Sequence, residues 1–380
     1  MKGLMIMRQL KSYKDIRNAI VNETFKIRTI SKKKFKGFKR IDLSKPVATW
    51  IKEDRLRKEL GYEFTIILRT SACRWARSES GGCTMCGYFN DRGPKDIDDN
   101  LVIEQIKHAL KKHEEEIAKI KKENKHIILK IFTSGSFLDT KELSIDTQQS
   151  ILDLISEIET ITEIVVESRP EFITDENLRL LRQRIPNKTI EIGIGIESTN
   201  DFVREILINK GFSLGLVNSA INIAHNNDFL VKAYLLLKPP FLSERIAIQD
   251  AIDSIKTVVQ MGVDTISLNP VNIQKYTLTD TLFYKHQYRP PWIYSALKVF
   301  QESLTEEIIE KVLIVCDPSA KGREKGIHNC KSRDCNQRWL DILQKFIFTQ
   351  DLRLIQRESL PYNMCSCWEE YNVYLDSNYL

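Results

Sequence analysis

Beyond about residue 60 the chain alternates short apolar runs with longer stretches whose apolar residues recur at helical spacing. The runs FTIILRT (64–70), HIILKIFTS (126–134), ITEIVVESR (161–169), TIEIGIGIES (189–198), FLVKAYLLLK (229–238) and DTISLNP (264–270) read as strands. Residues 101–123, 147–159, 176–184, 200–208, 214–226 and 245–261 read as helices, the first with a charged, solvated face. Strands separated by helices predict a parallel sheet with right-handed crossovers. Six repeats are too few for a closed eight-stranded barrel. The expected fold class is α/β, a partial (β/α)6 parallel barrel, curved and open. Ligands of such folds bind at the carboxyl ends of the strands.

The pattern breaks near residue 275. Tyr276 to Trp292 is rich in Tyr, Pro and His, and a helix is expected over 294–311. The predicted organisation is a basic N-terminal arm (1–45), a barrel (46–275) and a small Cys-rich C-terminal module (276–380).

At 380 residues the chain is long enough for a large domain plus a smaller module. No window approaches the ~18 apolar residues of a membrane span, and MKGLMIMRQLKSYKD lacks a secretory apolar segment. A cytoplasmic protein with no membrane association is expected. The net charge of +6 is unevenly spread: residues 1–40 hold thirteen Lys or Arg against Asp15 and Glu23. Lys32, Lys33, Lys34 and Lys36 interleave with Phe35 and Phe38, a composition suited to tracking phosphates and stacking on bases. A solvated tail without a partner is the alternative. Tyr284, His286 and Arg289 either face RNA or pack the C-terminal module.

The eight cysteines fall in close groups, which favours metal binding in a reducing cell over disulfides. Cys73, Cys83 and Cys86 have C-x9-C-x2-C spacing just after the first apolar run. Three thiolates are one too few for a closed zinc site. They suit a four-iron cluster with one open iron. A zinc knuckle with a distant fourth ligand, or unliganded thiols, remain as alternatives. Arg74, Arg77 and Arg92 are placed to offset cluster charge, and Tyr88 either covers the site or simply packs.

The loop CRWARSESGGCTMCGY resembles the long-spaced cluster loop of radical S-adenosylmethionine (SAM) enzymes, similar to that of the Elongator catalytic subunit. FTSGSFLD, VESRPEFIT and IGIGIES resemble that superfamily's downstream segments. With HNCKSRDC and MCSCWEEY they are most similar to its archaeosine-biosynthesis branch. The resemblance runs from about residue 45 onward. It implies a [4Fe-4S] cluster on Cys73, Cys83 and Cys86, and SAM bound by Ser134, Gly135, Ser136, Glu167, Arg169, Gly195 and Glu197. An ordinary turn at Ser134–Ser136, a Glu167–Arg169 ion pair, and a bulge at the glycines are the structural alternatives. The implied reaction is C–N cleavage of a lysine adduct of 7-cyano-7-deazaguanine in tRNA. The implied partners are tRNA, the lysine-transferring subunit of archaeosine synthase, and an electron donor. Another radical SAM modification, Elongator-like at a wobble uridine, or a non-catalytic iron–sulfur or zinc protein that binds RNA, are the competing readings.

A second metal site is expected in the C-terminal module, drawn from Cys316, Cys330, Cys335, Cys365 and Cys367, with His328 a further candidate. Two close pairs about thirty residues apart suit a structural zinc. A second iron–sulfur cluster and unliganded thiols are the alternatives. The favoured set is Cys330, Cys335, Cys316 and one of Cys365 or Cys367.

Overall fold

The computed structural model describes residues 12–34, 41–356 and 360–377. Eight strands form one sheet whose spatial order is their chain order. β1 (Ala48–Arg55) runs antiparallel to β2 (Leu60–Ile67). β3 (Ile127–Phe132), β4 (Ile161–Glu167), β5 (Thr189–Glu197), β6 (Leu230–Leu237), β7 (Thr265–Pro270) and β8 (Leu313–Val315) follow in parallel. The six expected strands are β2 to β7. β1 and β8 extend the sheet at its two edges, and it curls into a half-barrel. Lys52 of β1 pairs with Asp317 just beyond β8, so the edges approach without joining the ladder.

β5 alternates strictly, with Ile at 190, 192, 194 and 196 against Glu191, Gly193, Gly195 and Glu197. Side chains at a period of two share a face. The isoleucines join the main apolar core with Ile164, Val166, Val231, Ala233, Leu235, Ile266 and Leu268. The other face is polar. Glu191 pairs there with Arg57 at 2.9 Å and Lys232 at 3.1 Å, and a Cβ on Gly193 would lie 2.5 Å from the Tyr234 ring. A polar sheet face at this depth is costly unless its groups are paired or meet a ligand.

The apolar face is covered by crossover helices, among them Asp99–Lys112, Ile145–Ser156, Asp175–Arg184, Leu214–Asn226 and Glu244–Gln260. Asp98, Ser144, Thr174 and Ser213 each cap a helix start with a side-chain oxygen. The stretch Phe202–Leu207, expected as an ordinary helix, is a π-helix. It sets the following loop against the cysteines (below).

Two expected boundaries are not borders between cores. The segment 276–380 supplies β8, and its Trp339, Leu343, Phe346 and Tyr371 lie in the same apolar core as the barrel. The described part of the N-terminal arm is a helix, α1 (Tyr13–Lys34). It buries Ile20, Thr24, Arg28 and Ser31, one stripe at helical spacing. Lys32 and Lys33 lie in its last turn and are exposed, Lys34 ends it, and Lys36 lies outside the described residues. Arg289 is spent on packing: it stacks on Trp292 at 3.7 Å and donates to the carbonyls of His328 and Asn329. Tyr284 remains exposed and accepts from Lys325.

Candidate active site and metal centres

The cysteine loop leaves the carboxyl end of β2 and is held from three sides. Cys73 N–H donates to Ser134 O at 3.1 Å, joining the loop to the end of β3. Asn209 donates to the carbonyls of Ser80 and Gly82, Trp75 Nε1 donates to Asn209 O, and Thr84 N–H donates to Ile208 O. These partners come from the loop after the π-helix. On the third side Gly87 N–H donates to Gln274 beyond β7. Gly81 has φ +72°, and a Cβ there would lie 2.7 Å from Phe25 N of α1. Only glycine fits where the helix backbone comes this close.

The three thiols are partly buried and unpaired with one another. Burial raises the Cys73 thiol, with Arg169 opposing. Burial pushes Cys86 up to about 12; Cys83 adds to the rise and Arg28 opposes it. Thiols in such surroundings lose their protons to a metal and not to water. The donor set therefore fits a thiolate-bound cluster. Of the arginines expected to offset its charge, Arg74 is paired with Asp139 at 2.6 Å and Arg77 donates to Ser71 O. Arg92 donates to Phe89 O at 2.8 Å. Arg28, which sequence reasoning missed, donates to the loop carbonyls of Gly81 and Cys86.

The Ser134–Ser136 turn is buried and lies directly behind Cys73. A Cβ on Gly135 would meet Glu142 Oε2 at 1.9 Å and Cys73 Cα at 2.7 Å. Ser136 N–H donates to Glu142 at 2.9 Å, and Thr70 Oγ1 donates to it at 2.5 Å. Burial raises the Glu142 carboxyl to about 7. This buried carboxyl, another residue no motif signalled, ties the turn to the cysteine loop. Gly135→Ala is expected to push the two apart. Bound iron should fall several-fold while far-UV circular dichroism is unchanged; unaltered iron content would count against the contact.

Ser136 Oγ accepts from Arg169 N–H at 3.1 Å, linking β3 to the end of β4. Arg169 pairs with Glu171 at 2.6 Å and donates to Lys210 O, so the Glu167–Arg169 ion pair is not formed. Burial raises the Glu167 carboxyl to about 7; a hydrogen bond from Tyr234 opposes the rise and Glu197 adds to it. Glu197 has φ +69°, at a register break between Gly195 and Glu197. A non-glycine residue in this region is strained, a feature that gathers at functional sites. Its carboxylate pairs with Lys210 at 2.7 Å. Lys210 keeps its proton despite burial, which works against it, because Glu197 lies alongside. A Cβ on Gly195 would lie 2.7 Å from Lys210 Nζ, so the glycine makes room for this pair. The seven expected SAM contacts thus fall on three adjacent strand ends beside the cysteine loop.

The C-terminal cysteines form a second, tighter group. The sulfurs of Cys330, Cys335, Cys365 and Cys367 all lie within 4.8 Å of one another. Cys335 and Cys367 are 3.6 Å apart, Cys330 and Cys365 4.0 Å. Thiolates about 2.3 Å from one tetrahedral ion are separated by about 3.8 Å, so the spacing fits a single ion. Thiolates on separate irons of a cluster would stand further apart. Cys335 sits in the first turn of the helix Arg333–Thr349, capped by Ser332, and Cys367 begins the helix Cys367–Asp376. Helix N-termini favour thiolates. Tyr294 OH lies 3.1 Å from Cys367 Sγ, inside a shell of Trp339, Tyr362, Trp368 and Tyr371. Cys316 is not in the group: it is buried at the seam between β1 and β8, where Asp317 lies beside it. The expected set is corrected accordingly, with both Cys365 and Cys367 included. His328 is turned to Gly326 O.

The molecule is an α/β half-barrel with a three-thiol loop at the strand ends and a separate four-thiol centre. No protein-family model matches it. An uncharacterised protein of Methanocaldococcus jannaschii is 36% identical over 362 residues, 94% of this chain and 95% of that protein. Archaeosine synthase subunit beta of Methanosarcina acetivorans is 36% identical over 310 residues (81% of this chain, 85% of that one). The same subunit of Thermococcus kodakarensis is 36% identical over 307 residues (81% and 91%). The chain belongs to the archaeosine synthase subunit beta family. Among solved structures, Elp3 of Methanocaldococcus infernus is 12% identical with a TM-score of 0.44, covering 62% of this chain and 58% of that one. Coproporphyrinogen III oxidase of Escherichia coli, described as a radical SAM enzyme, is 16% identical with a TM-score of 0.32, covering 57% of each. Among the described residues no helix is long and apolar enough to cross a membrane.

Proposed function

We propose that this chain is a radical SAM enzyme that modifies tRNA in archaeosine formation, cleaving a C–N bond of the lysine adduct of 7-cyano-7-deazaguanine. The observation that carries the reading is the Cys73 to Ser134 hydrogen bond. It makes the three-thiol loop and the Ser-Gly-Ser turn one unit, with Glu167, Arg169 and Glu197 on the neighbouring strand ends. Cys73, Cys83 and Cys86 would hold a [4Fe-4S] cluster with one open iron. Bound together, cluster and SAM supply a one-electron route to a carbon radical that abstracts hydrogen from substrate.

The chain's own residues bind, orient and exclude water. The backbone of Ser134, Gly135 and Ser136 would receive the amino-acid end of SAM. Arg169 would face its carboxylate. Gly195 would stand beside the adenine, its missing side chain making room for the Glu197–Lys210 pair. Glu167, as a carboxylate, would accept the ribose hydroxyls. The Glu197–Lys210 pair fixes the strained end of β5 against the loop that braces Cys83. Lys32, Lys33, Lys34 and Lys36 remain the proposed phosphate contacts, at the end of α1 and just beyond it. The four-thiolate centre would hold one structural zinc. The lysine-transferring subunit and a one-electron donor are the proposed partners, in the cytoplasm.

The Glu167 role fixes a pH dependence. Its carboxyl is raised to about 7, so it is charged above that value and protonated below it. SAM should bind best above pH 7 and weaken about tenfold between pH 8 and pH 6. Calorimetric titration of the anaerobically reconstituted protein measures this, and Glu167→Gln should flatten the profile. A profile that tightens toward low pH would contradict the role. The reading itself is tested by incubating that protein with SAM and dithionite. Formation of 5′-deoxyadenosine is expected; none from fully iron-loaded protein would overturn it.

A further inference from the structure

Arg28 is a buried cation with no carboxylate partner among the described residues. It is 2% exposed. Its Nε donates to Gly81 O at 3.0 Å and its Nη2 to Cys86 O at 2.9 Å. Its Nη1 is buried without a hydrogen-bond partner. The guanidinium lies 4.8 Å from the Phe89 ring centroid. Both of its hydrogen bonds reach into the loop that carries Cys73, Cys83 and Cys86, one of them to the carbonyl of Cys86 itself. A buried guanidinium without a counter-charge is strongly unfavourable. Two carbonyls cannot neutralise it. The charge becomes favourable when an anion occupies the three-thiol site.

We propose that Arg28, reaching in from α1, is a positioning residue that anchors the three-cysteine loop and eases one-electron reduction of the cluster bound there. This rests on the iron–sulfur reading of Cys73, Cys83 and Cys86. A low-potential one-electron donor of the flavin or iron–sulfur class, or dithionite in vitro, is oxidised by one electron, and the cluster is reduced by one. No bond breaks and no proton moves. The added negative charge falls beside a permanently charged guanidinium in a poorly solvated setting, which favours the reduced form. Net charge and hydrogen bonding around the sulfurs are the protein's levers on such potentials. The N-terminal segment thus belongs to the redox centre, not only to RNA binding.

The test uses the full chain, reconstituted anaerobically, as wild type, Arg28→Gln and Arg28→Lys. Iron and sulfide per chain are measured first. Midpoint potentials then follow by titration monitored by electron paramagnetic resonance. Arg28→Gln should have a more negative midpoint than wild type, with Arg28→Lys, which keeps the charge but loses the fork, in between. If Arg28→Gln fails to load iron, a loaded Arg28→Lys with a near-wild-type midpoint supports the charge role. The proposal is overturned if Arg28→Gln loads fully with an unchanged or more positive midpoint, or if neither variant loads. Failure of the wild type itself to bind iron and sulfide would instead sink the cluster reading on which the proposal stands.

Discussion

Replacing Cys83 by Ala should leave a folded protein that has lost its iron and all SAM cleavage but keeps the metal of the four-thiol centre. The two thiol groups have separate supports. The loop cysteines are braced by α1, by Asn209 and Ile208, and by Gln274. The four-thiol centre is enclosed by Tyr294, Trp339 and Trp368. Two thiolates cannot hold a four-iron cluster open at one iron only, so activity should fall to background. Thr84, next to Cys83, stays anchored to Leu207 and Ile208, so the melting temperature should move by only a few degrees. Metal analysis should show iron gone and the second metal retained. Joint loss of both would mean that the sites are not independent.

Cys335→Ala should act in the opposite way, through stability. Structural metal binding is itself folding free energy, and loss of one ligand leaves three thiols, Cys367 buried and Cys330 and Cys365 half-buried, around a weakened ion. The centre joins the helices Arg333–Thr349 and Cys367–Asp376, both of which pack in the common core. A loss of several kcal/mol at roughly 2–4 °C per kcal/mol should lower the melting temperature on the order of 10 °C. Limited proteolysis should cut first near the C-terminus, and a chelator should reproduce the effect on wild type. Unchanged stability with lost turnover would make the second centre catalytic and not structural.

The strands that carry the site were legible because each is a short apolar run after a helical stretch. β1 was missed because ATWIKEDR is a half-exposed, charged edge strand. β8 was missed because it has only three residues. α1 was hidden by its charge. Its buried stripe holds Thr24, Arg28 and Ser31 beside Ile20, so apolar periodicity is weak although the packing is tight. Its consequence is functional: deleting residues 1–40 would remove Arg28 along with the lysines, so loss of SAM cleavage in such a truncation would say nothing about RNA.

The nearness of the three loop cysteines to one another was legible from their spacing, since one loop after β2 confines them. The C-terminal ligands were not, because Cys316 and Cys365 are equally plausible along the chain and only the packing of two helix starts selects one. Glu142, Asn209, Lys210 and Tyr234 left no signal. Each is an isolated polar residue whose role comes from a contact across the fold.

The most direct measurement is mass spectrometry of tRNA nucleosides. Lysine-adducted tRNA is incubated anaerobically with the reconstituted chain, SAM and dithionite, with and without the lysine-transferring subunit. The expected result is conversion of the adduct to archaeosine, absent in Cys83→Ala. An adduct left intact by an iron-loaded protein that cleaves SAM would contradict the proposed reaction.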